Sequence, residues 1–582
     1  MSPKPSFPLP GLLAACSIAA SAVGGPAQPN VIVILADDLG AHELGVYGHP
    51  THQTPHLDEL ARGGIYFDTA YATPVCHPSR HALMTGQYPH HNGVFHFPNR
   101  AGGPPVENEG DDNIAAHLTF GRLFQQAGYA TAMAGKWQLS GELPGLVRET
   151  GFDEYAIWAY DHNLPAGQKH TGGREPHSGR TSRYWHPSIV QNGNYRPTTI
   201  DDYGPDLFAD FLIDFSNRSR TEEKKPFFLY YSMALTHEPY YPTPDSLSSP
   251  ADKFTRSETN WRANVEYMDK LIGRIVTALE ASGQRENTLI VFMGDNGTAR
   301  HGKGATTELG ARVPLIINGP GLVQAQGRSP ELADITDILP TICEVAGIPL
   351  PPGHPIDGIS LAPYLRGETH SLREWIYSPL GGRRTVRTKR WLLENNTPWR
   401  FGQLYDCGDS RDGTGYRDVT NDTNTAVQNA RRQLREIMAS LPVPDVAPDD
   451  PRMIDREKPH YVPRDQRRGL NSPVIVDIAE GRAALTIFPP VDGQPQGFTL
   501  IPETEASVRD PVAIPTVVRM AHRDGKIAGV LHAAGGADLT EDLVQAARTL
   551  VAARAGEFGF AGTVEVFTLM AVETADQALS SP

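Results

Sequence analysis

The sequence has little cysteine, no surplus of positive charge and, after its N-terminal segment, no long apolar run. Four cysteines among 582 residues exclude a small scaffold held together by disulfides. The formal net charge of -15 argues against a nucleic-acid-binding protein, so we expect no nucleic-acid partner. Because no later segment has the roughly 20 consecutive apolar residues that a membrane-spanning helix requires, we expect no transmembrane helix. A site for an anionic substrate must therefore be a local basic pocket.

The remaining composition is that of a globular chain. Hydrophobic residues make up 39% and charged residues 20% of the sequence, which excludes an intrinsically disordered protein. The chain is longer than a single hydrophobic core usually organises, so more than one domain is expected. The 56 glycines and 50 prolines indicate many turns and long ordered loops.

The N-terminus has the pattern of an export signal. Lys4 supplies positive charge, residues 9–23 are mostly small and apolar, and the run 20–22 (Ala-Ser-Ala) is a plausible cleavage site. We predict a signal peptide over residues 1–24 and a mature protein that is periplasmic or extracellular. The run 13–16 (Leu-Ala-Ala-Cys) also resembles a bacterial lipobox, in which Cys16 is acylated. Membrane contact is expected only if Cys16 carries a lipid.

Strand-like runs alternate with helical patterns over the first part of the chain. Runs rich in β-branched and aromatic residues predict strands at 30–36, 129–134, 227–233, 288–293 and 314–317. Helical spacing occupies 114–127, 207–217 and 260–282. This alternation predicts an α/β fold with a mostly parallel sheet sandwiched by helices. Functional groups of such sheets gather at the carboxyl ends of the strands.

The pattern of apolar runs in the sequence changes after residue 346. Shorter apolar stretches over 347–441 indicate a smaller subdomain, and 442–470, rich in Pro, Asp and Arg, is typical of a linker. Residues 471–582 are predicted to form a small α/β accessory domain of unknown role, in which we find no motif that carries chemistry. Its strand-like and helical runs lie at 474–478, 516–521, 563–571 and, for the helix, 539–555.

One short segment, residues 76–80 (Cys-His-Pro-Ser-Arg), suggests a reactive thiol at the start of a helix. Pro78 suits a first helical turn, where unpaired backbone N–H groups favour anions. Arg80 adds a planar fork of donors that matches a tetrahedral oxyanion. Taken alone, these residues fit a small buried cysteine beside a structural arginine equally well.

Two polar pairs follow predicted strands directly. Asp37 and Asp38 come after the first strand, and Asp295 and Asn296 come after the strand at 288–293. Each pair alone can be a turn or a helix cap. Together, at the carboxyl ends of buried strands, they form an all-oxygen ligand set that suits Ca²⁺ or Mg²⁺ rather than zinc.

Other polar residues near predicted strand ends add donors, and two histidines suggest a different metal. Lys136, His237 and Lys303 are, taken singly, ordinary surface residues of their types. His77 and His81 are spaced for one face of a helix and suggest zinc. Without a nearby third ligand we treat both as ordinary residues.

In order along the chain, these motifs resemble the sulfatase family from about Asn30 to Leu441. The series is Asp-Asp, Cys-x-Pro-Ser-Arg, Gly-Lys-Trp, His-x-Pro, Gly-Asp-Asn-Gly, Gly-Lys and Arg-Val-Pro. The resemblance, strongest to the arylsulfatase A-like branch, implies a sulfuric ester hydrolase with an alkaline-phosphatase-like α/β fold. It also implies a catalytic domain over 28–346 followed by a smaller subdomain over 347–441.

The resemblance assigns the nucleophile to Cys76. A formylglycine-generating enzyme, or an anaerobic sulfatase-maturing enzyme, would convert this cysteine to formylglycine. One hydroxyl of the formylglycine hydrate would attack sulfur in line, and the second would then help to expel sulfate. This is covalent catalysis, which divides one difficult displacement into two easier steps.

The resemblance also assigns a metal and the surrounding donors. One Ca²⁺, or less favourably Mg²⁺, would be held by the oxygen ligands together with the residue at position 76. Arg80 would stabilise the hydrate, and Lys136 and Lys303 would hold sulfate oxygens as charge spreads onto them. His237 would contact the leaving oxygen and is a candidate general acid. The implied metal ligands are Asp37, Asp38, Cys76, Asp295 and Asn296.

Gln138 departs from the family pattern, which usually has histidine at this position. The family's histidine is thought to accept a proton when the sulfated intermediate collapses. Glutamine forms hydrogen bonds but does not titrate near neutral pH. We therefore expect that another group takes the proton, or that Gln138 only positions the hydrate.

Two other functions remain open at this point. The first is a phosphonate monoester hydrolase or phosphodiesterase of the same superfamily, which also carries Cys-x-Pro-Ser-Arg. The second is a protein that binds sulfated glycans but no longer hydrolyses them, which would be consistent with glutamine at position 138. For a sulfatase, the substrate can be a sulfated polysaccharide, a sulfated sugar or an aryl sulfate. The aromatic runs at 160–163 and 184–186 are typical of sugar sites, but ordinary loop packing explains them slightly better. Cys343 and Cys407 are expected to be buried thiols rather than a disulfide pair.

Overall fold

The computed structural model describes residues 28–443 and six strands beyond them. Within 28–443 it leaves out 97–112, 140–144, 146, 160–163, 166, 168–181, 300, 371, 398–400 and 412. The predicted signal peptide, most of the predicted linker, the helix predicted at 539–555 and the aromatic run at 160–163 therefore lie outside the described residues.

A large mixed sheet forms the centre of the fold. Its strands are β1 (Asn30–Ala36), β2 (Ile65–Tyr71), β3 (Ala130–Lys136), β4 (Glu154–Trp158), β5 (Ile189–Gln191), β6 (Asn194–Arg196), β7 (Phe227–Ser232), β8 (Thr288–Gly294), β9 (Arg312–Val313), β10 (Leu315–Asn318) and β11 (Gly327–Asp334). They are arranged in the order β11-β2-β10-β8-β1-β7-β3-β4-β5-β6, and β9 pairs with β2. The five strands from β8 to β4 are mutually parallel, while β10, β5 and β6 run antiparallel to their neighbours. The predicted parallel sheet is thus confirmed at its centre, with antiparallel additions on both sides.

The central strand shows why the sequence places this sheet in the interior. All seven residues of β1 are buried. Val31, Val33 and Leu35 belong to the hydrophobic core on one face, and Ile32 and Ile34 belong to the core on the other. Because successive side chains of a strand point to opposite faces, a continuous apolar run fits a strand that is covered on both sides.

Helices cover both faces of the sheet, as the alternating pattern predicts. They are α1 (Pro55–Arg62), α2 (Cys76–Thr85), α3 (Pro89–Asn92), α4 (Phe120–Gln126), α5 (Gly204–Arg218), α6 (Trp261–Ala281), α7 (Glu308–Ala311), α8 (Ile338–Val345), α9 (Ala362–Leu365) and α10 (Thr425–Ala439). Residues of α2, α4 and α8 share the core that contains Val31. Residues of α1, α5 and α6 share the core that contains Ile32.

The single helix expected over 114–127 is wrong. The structure has a short 3-10 turn at Ile114–Ala116 and a separate helix, α4. The side chain of Asn113 accepts a hydrogen bond from the N–H of Ala115, and the side chain of Thr119 accepts one from the N–H of Arg122. Two N-cap residues therefore start two elements where the apolar spacing alone indicates one.

A second sheet follows in the chain. Its strands, paired antiparallel in chain order, are β12 (Trp375–Leu380), β13 (Arg383–Thr388), β14 (Trp391–Asn396), β15 (Gln403–Asp406) and β16 (Arg417–Asp418). Helix α10 packs on it through Val427 and Leu434. Leu361 and Leu365, after the predicted boundary at 346, are still buried in the main core. The domain boundaries stay predictions.

Beyond residue 443 the described elements are two three-stranded sheets. One contains β17 (Pro473–Ile478), β18 (Gly481–Ile487) and β19 (Phe498–Pro502), and the other contains β20 (Thr516–Arg523), β21 (Lys526–Ala534) and β22 (Val564–Val572). Strands β17, β20 and β22 coincide with the predicted runs. Strands β18, β19 and β21 were not predicted.

Two further expectations concern membrane helices and cysteines. Among the residues that the structure describes, no helix has the length and apolar composition needed to cross a bilayer.

Cys343 in α8 and Cys407 after β15 are free, buried thiols, as expected. Burial raises the pKa of each thiol to about 12, so neither is a nucleophile at neutral pH.

Gly135 in β3 allows an unusually close approach to the neighbouring strand. Its φ is 104°, and a Cβ atom at this position would lie 1.9 Å from the carbonyl oxygen of Ser232 in β7. Only glycine fits here, directly before Lys136. Gly128 also has a positive φ, of 87°, but a Cβ there would meet no atom within 4 Å.

We expect Gly135→Ala to destabilise the protein more than Gly128→Ala does. The control variant should lose about 1–2 kcal/mol, the cost of a left-handed conformation for a residue with a Cβ atom. Gly135→Ala should lose about 1–3 kcal/mol more, because the strands must move apart. Urea unfolding of both variants measures the difference. Equal losses would show that the contact with Ser232 does not constrain this strand pair.

Candidate active site

The parallel strands bring the predicted site residues to one edge of the sheet. Strands β1, β7, β8 and β3 end there in the same direction, and Ala36 at the end of β1 is paired with Gly294 at the end of β8. The residues that follow, Asp37 and Asp295, are therefore neighbours. Lys136 is the last residue of β3, and the loop with His237 follows β7.

Backbone hydrogen bonds hold the three loops together. The N–H of Asp295 donates to the carbonyl of Ala36 at 2.9 Å, and the N–H of Asp37 donates to the carbonyl of Leu235 at 2.9 Å. The N–H of Asp38 donates to the Oδ1 atom of Asp295 at 2.9 Å. Asp38 adopts a left-handed conformation with φ 61°, which aspartate tolerates better than most residues.

The four oxygen-bearing residues are completely buried and fit a hard cation. Asp37, Asp38, Asp295 and Asn296 each have 0% of their surface exposed. The Nδ2 group of Asn296 donates to Asp38 at 2.9 Å and to the carbonyl of Gly297 at 2.8 Å. Its Oδ1 atom is buried and has no hydrogen-bond partner among the residues that the structure describes. A fixed, unpartnered carbonyl oxygen beside three carboxylates is a donor set for Ca²⁺ or Mg²⁺.

Cys76 lies beside this cluster at the first position of α2. The whole of α2 is buried, and Cys76 itself is 3% exposed. One ligand atom each of Asp37, Cys76 and Asp295 lies within 4.8 Å of the other two. The thiol, the helix start and the acidic residues therefore share one small space, as the sequence predicts.

Arg80 ties α2 to the acidic cluster. Its Nη2 atom donates to the Oδ2 atom of Asp295 at 2.7 Å and lies 3.5 Å from Asp37. Its Nη1 atom donates to the hydroxyl of Ser232 and, at 3.3 Å, to the carbonyl of Lys136. Burial lowers the pKa of Arg80, but the carboxylates of Asp295 and Asp37 raise it by more than burial lowers it. The net pKa is therefore above the ordinary value, and the guanidinium is always charged.

Each lysine of the site pairs with a different aspartate. The Nζ atom of Lys136 lies 2.9 and 2.7 Å from the two carboxylate oxygens of Asp37. The Nζ atom of Lys303 lies 2.6 and 2.8 Å from those of Asp38. Pairing of this kind offsets the cost of burying the charges, which would be prohibitive for isolated groups.

His237 is held as a neutral acceptor. Its Nδ1 atom contacts the carbonyl of Glu238 at 2.6 Å, so Nδ1 must carry the proton, since a carbonyl only accepts. Its Nε2 atom lies 3.1 Å from the Nζ atom of Lys303, which only donates. Burial, together with the positive charges of Lys303 and Arg183, holds the pKa of His237 well below its usual range.

Burial and charge also shift the pKa values of the carboxylates. Burial raises the pKa of Asp295 to about 7, and the Asp37 carboxylate adds to the rise. In Asp37, burial raises the pKa, but Lys136, His237 and Arg80 together lower it well below the usual range. The carboxylate of Asp37 is therefore ionised, whereas a further positive charge nearby would stabilise the ionised form of Asp295.

Gln138 contacts the residue next to Cys76 through its backbone carbonyl group. The Nδ1 atom of His77, next to Cys76, donates to the Gln138 carbonyl at 2.9 Å. Gln138 has a φ of 39°, a left-handed conformation that costs free energy and is common at functional sites. Its side-chain Oε1 atom is buried with no hydrogen-bond partner among the described residues.

Sequence reasoning missed several residues of the site. Ser232 was predicted only as part of a strand, although its position at the end of β7 is a usable signal. Arg183 lies in a loop-rich stretch without any pattern, and its Nη1 atom is 3.9 Å from Asp37. His77 was treated as ordinary but contacts Gln138. The aromatic residues Tyr184 and Trp185 are buried, 0% and 4% exposed, so loop packing accounts for them.

The loop after β1 and the loop after β8 are connected through the buried side chain of Glu43. The hydroxyl of Thr298 accepts a hydrogen bond from the N–H of Gly40 at 3.1 Å and donates to the Oε1 atom of Glu43 at 2.9 Å. Glu43, which is 0% exposed, also accepts a hydrogen bond from the indole of Trp261 at 3.0 Å. Thr298 therefore links the loop after β1 to the loop after β8.

Comparisons with known proteins identify the family of the chain. The family model described as "Sulfatase" matches residues 29–348. Arylsulfatase A of Homo sapiens is 33% identical over 373 residues, covering 60% of this chain and 70% of that protein. N-acetylgalactosamine-6-sulfatase of Canis lupus familiaris is 31% identical over 385 residues, covering 61% and 69%.

A solved structure extends the similarity to the fold. The crystal structure of Ps i-CgsB superposes with a TM-score of 0.57 at 25% identity, covering 71% of this chain and 92% of that chain. The fold is thus the alkaline-phosphatase-like α/β fold of a sulfuric ester hydrolase. The chain belongs to the sulfatase family.

We expect Thr298→Val to cost about 1–3 kcal/mol of unfolding free energy, because the buried Glu43 oxygen and the Gly40 N–H each lose a partner. Thr298→Ser keeps the hydroxyl and should lie within about 1 kcal/mol of the wild type. Urea unfolding of the two variants is the measurement. If valine and serine behave alike, the hydroxyl does not couple the two loops.

Proposed function

We propose that this protein hydrolyses a sulfate monoester of a carbohydrate to an alcohol and inorganic sulfate, with formylglycine formed from Cys76 as its nucleophile and with one bound Ca²⁺. The observation that carries the proposal is the position of Cys76, at the start of buried helix α2 and within 4.8 Å of the Asp37 and Asp295 carboxylates. Mg²⁺ is the less favoured ion.

The residues that would hold the cation are Asp37, Asp38, Asp295 and Asn296, together with the modified residue 76. When bound, the cation withdraws charge from a sulfate oxygen and orients the hydrate. The unpartnered Oδ1 atom of Asn296 and the raised pKa of Asp295 both favour a cation at this point. A positive charge there keeps Asp295 ionised.

The nucleophile is held by its helix and by Arg80. Residue 76 is the first residue of α2, and the unpaired N–H groups of a first helical turn favour negative charge nearby. Arg80, fixed by Asp295 and Ser232, supports the hydrate hydroxyl that attacks sulfur. Because attack, departure of the alcohol and release of sulfate occur on one fixed side chain, the reaction gains from orientation as well as from charge.

Lys136 and Lys303 stabilise the sulfate group as its charge grows. Both ammonium groups are held by carboxylates, so they need little reorganisation when the substrate binds. Lys303 also donates to the Nε2 atom of His237. We infer that His237 contacts the leaving oxygen and is the general acid that would pass a proton from its Nε2 atom to the departing alcohol, with Lys303 holding the imidazole in position.

The sulfated carbohydrate is favoured by the relatives. N-acetylgalactosamine-6-sulfatase is named for a sulfated amino sugar and is 31% identical to this chain. We propose a sulfated sugar or glycan as the substrate, with an aryl sulfate as a laboratory substitute. We further propose that the protein is exported to the periplasm or the cell exterior, and that its second partner is a formylglycine-generating or anaerobic sulfatase-maturing enzyme.

Protein from a host with a maturing enzyme tests this function. We expect the peptide that contains residue 76 to have the mass of an aldehyde in place of the thiol, and expect hydrolysis of para-nitrophenyl sulfate. Cys76→Ala should reduce kcat by about 10⁴-fold or more, because the nucleophile is lost. Cys343→Ala, a buried cysteine away from the site, is the matched control.

Three results would overturn the proposal. Active protein with an unmodified Cys76 excludes the formylglycine nucleophile, and activity that survives complete chelation excludes the cation. A kcat/KM that is higher for para-nitrophenyl phosphate or for an aryl phosphonate ester than for the sulfate assigns the enzyme to phosphorus chemistry instead.

Gln138→His should add an ionisation to the pH dependence of kcat. A histidine at this position introduces a group with an ordinary pKa of about 6.5, which glutamine lacks. We expect turnover to rise with pH through that range as the imidazole becomes a base, with Gln138→Asn as the control that cannot titrate. An unchanged pH–rate profile in the histidine variant would place residue 138 outside the proton path.

A further inference from the structure

Two histidines and an aspartate converge just after the helix that begins at Cys76. His90 and His91 belong to α3, and Asp357 lies between α8 and α9 in the chain. The Nδ1 atom of His91 lies 3.0 and 2.9 Å from the two carboxylate oxygens of Asp357. The Nε2 atom of His90 lies 3.7 Å from the Oδ1 atom of the same carboxylate. One ligand atom of each residue lies within 4.8 Å of the other two, so the three side chains point to one small space.

The surroundings of His90 are not those of a hydrogen-bonded histidine. A separation of 3.7 Å from Asp357 is too long for a hydrogen bond. The Nδ1 atom of His90 is buried and has no hydrogen-bond partner among the described residues. Because the side chain is only 11% exposed, solvent reaches little of the ring, and a buried polar group without partners costs free energy. An ion pair between His91 and Asp357 explains the position of one imidazole but not of the other.

A single metal ion accounts for the spacing of all three side chains. Tetrahedral zinc binds nitrogen and oxygen at about 2.0–2.2 Å, which places its ligand atoms roughly 3.3 Å apart. The observed separations of 2.9 and 3.7 Å lie on either side of this value. Two imidazoles and one carboxylate suit Zn²⁺, whereas Ca²⁺ prefers oxygen ligands only.

The protonation of His90 also suits a metal ligand. Burial lowers the pKa of His90, Asp357 raises it and His91 lowers it, and the net pKa is below the ordinary value. The imidazole is therefore neutral at neutral pH, which is the form that binds a metal ion.

The carboxylate is held in place by backbone contacts that do not involve the histidines. The N–H groups of Asp357 and Gly358 donate to the carbonyl of Gly86 at 2.9 and 3.2 Å. The Oδ2 atom of Asp357 accepts a hydrogen bond from the N–H of Tyr88 at 2.7 Å. These contacts fix the aspartate beside α3 before any ion binds, so that little ordering remains to oppose binding.

This group is separate from the catalytic cluster. Helix α2 has 10 residues, and at a rise of 1.5 Å per residue it is about 15 Å long. Cys76 is its first residue, whereas α3 follows its other end. An ion at α3 therefore lies at the opposite end of α2 from the residues that would hold Ca²⁺.

We propose that His90, His91 and Asp357 bind one divalent transition-metal ion, with Zn²⁺ as the favoured ion and water in its remaining coordination position. The ion joins α3 to the segment before α9 and so fixes the C-terminal end of α2. Its role is structural, because an ion that binds only the folded chain stabilises that chain. The site is independent of the proposed hydrolysis, and no step of that reaction depends on it.

Zinc titration of the full-length Cys76→Ala protein tests the proposal. This substitution removes the active-site thiol as a zinc ligand, and excess Ca²⁺ in the buffer competes for the carboxylates of the catalytic cluster. Isothermal titration calorimetry gives the stoichiometry and the Kd of Zn²⁺, and thermal unfolding gives Tm with and without Zn²⁺. The same measurements are made after adding His90→Gln, His91→Gln or, as the matched control, His56→Gln, which changes an exposed histidine of α1.

We expect the Cys76→Ala protein to bind one Zn²⁺ that the His90→Gln and His91→Gln variants bind at least about 100-fold more weakly, because loss of a direct ligand should exceed the effect of altering a neighbour of a ligand. Zn²⁺ should raise the Tm of the Cys76→Ala protein and of the His56→Gln control, but not of the other two variants.

Two results would overturn the proposal: a Cys76→Ala protein that binds no Zn²⁺, and zinc binding that is unchanged by both substitutions in α3. If His90→Gln does not fold, His91→Gln decides, because the side chain of His91 is 39% exposed and its replacement leaves the core intact. Activity of the matured enzyme is not used in this test, so failure of the zinc site and failure of the proposed function are separate outcomes.

Discussion

The fold depends on the burial of three carboxylates at one edge of a sheet. Asp37, Asp38 and Asp295 are fully shielded from solvent, an arrangement that is unstable unless each charge has a partner. Two lysines and an arginine provide those partners, and each comes from a different element: α2, the end of β3 and the loop after β8. The electrostatic requirement therefore fixes the positions of distant parts of the chain relative to one another, and the hydrophobic cores on both faces of the sheet hold that arrangement rigid.

This arrangement also explains which parts of the protein could be predicted. The run at 30–36 was recognisable as a central strand because both of its faces are apolar, and its burial on both sides follows from that. Asp37 and Asp295 were recognisable as site residues because parallel strands that end together must place the following residues together. The first prediction uses only neighbouring residues in the sequence, and the second requires only the further assumption that the strands are parallel.

The contacts that were not predicted have a different origin. Thr298 and Glu43 are separated by 255 positions in the sequence, and no local pattern marks either residue as part of a connection. Arg183 lies near Trp158, which is the last residue of β4, and near Asp37 in the loop after β1, and both residues are distant from it in the sequence. The break between Ile114–Ala116 and α4 depends on two side-chain caps that compete with a continuous apolar stripe. The replacement of histidine by Gln138 was visible in the sequence, but its contact with His77 was not.

The burial of α2 has a consequence for how the enzyme would be made. Cys76 is 3% exposed, and every other residue of its helix is also buried. If Cys76 is oxidised as we propose, a second protein would have to reach a thiol that is enclosed in the folded chain, so the oxidising enzyme would act on the nascent or unfolded polypeptide. Modification and folding would then be in kinetic competition. A sequence change that speeds folding would trap unmodified molecules, which would be stable and correctly shaped but permanently inactive.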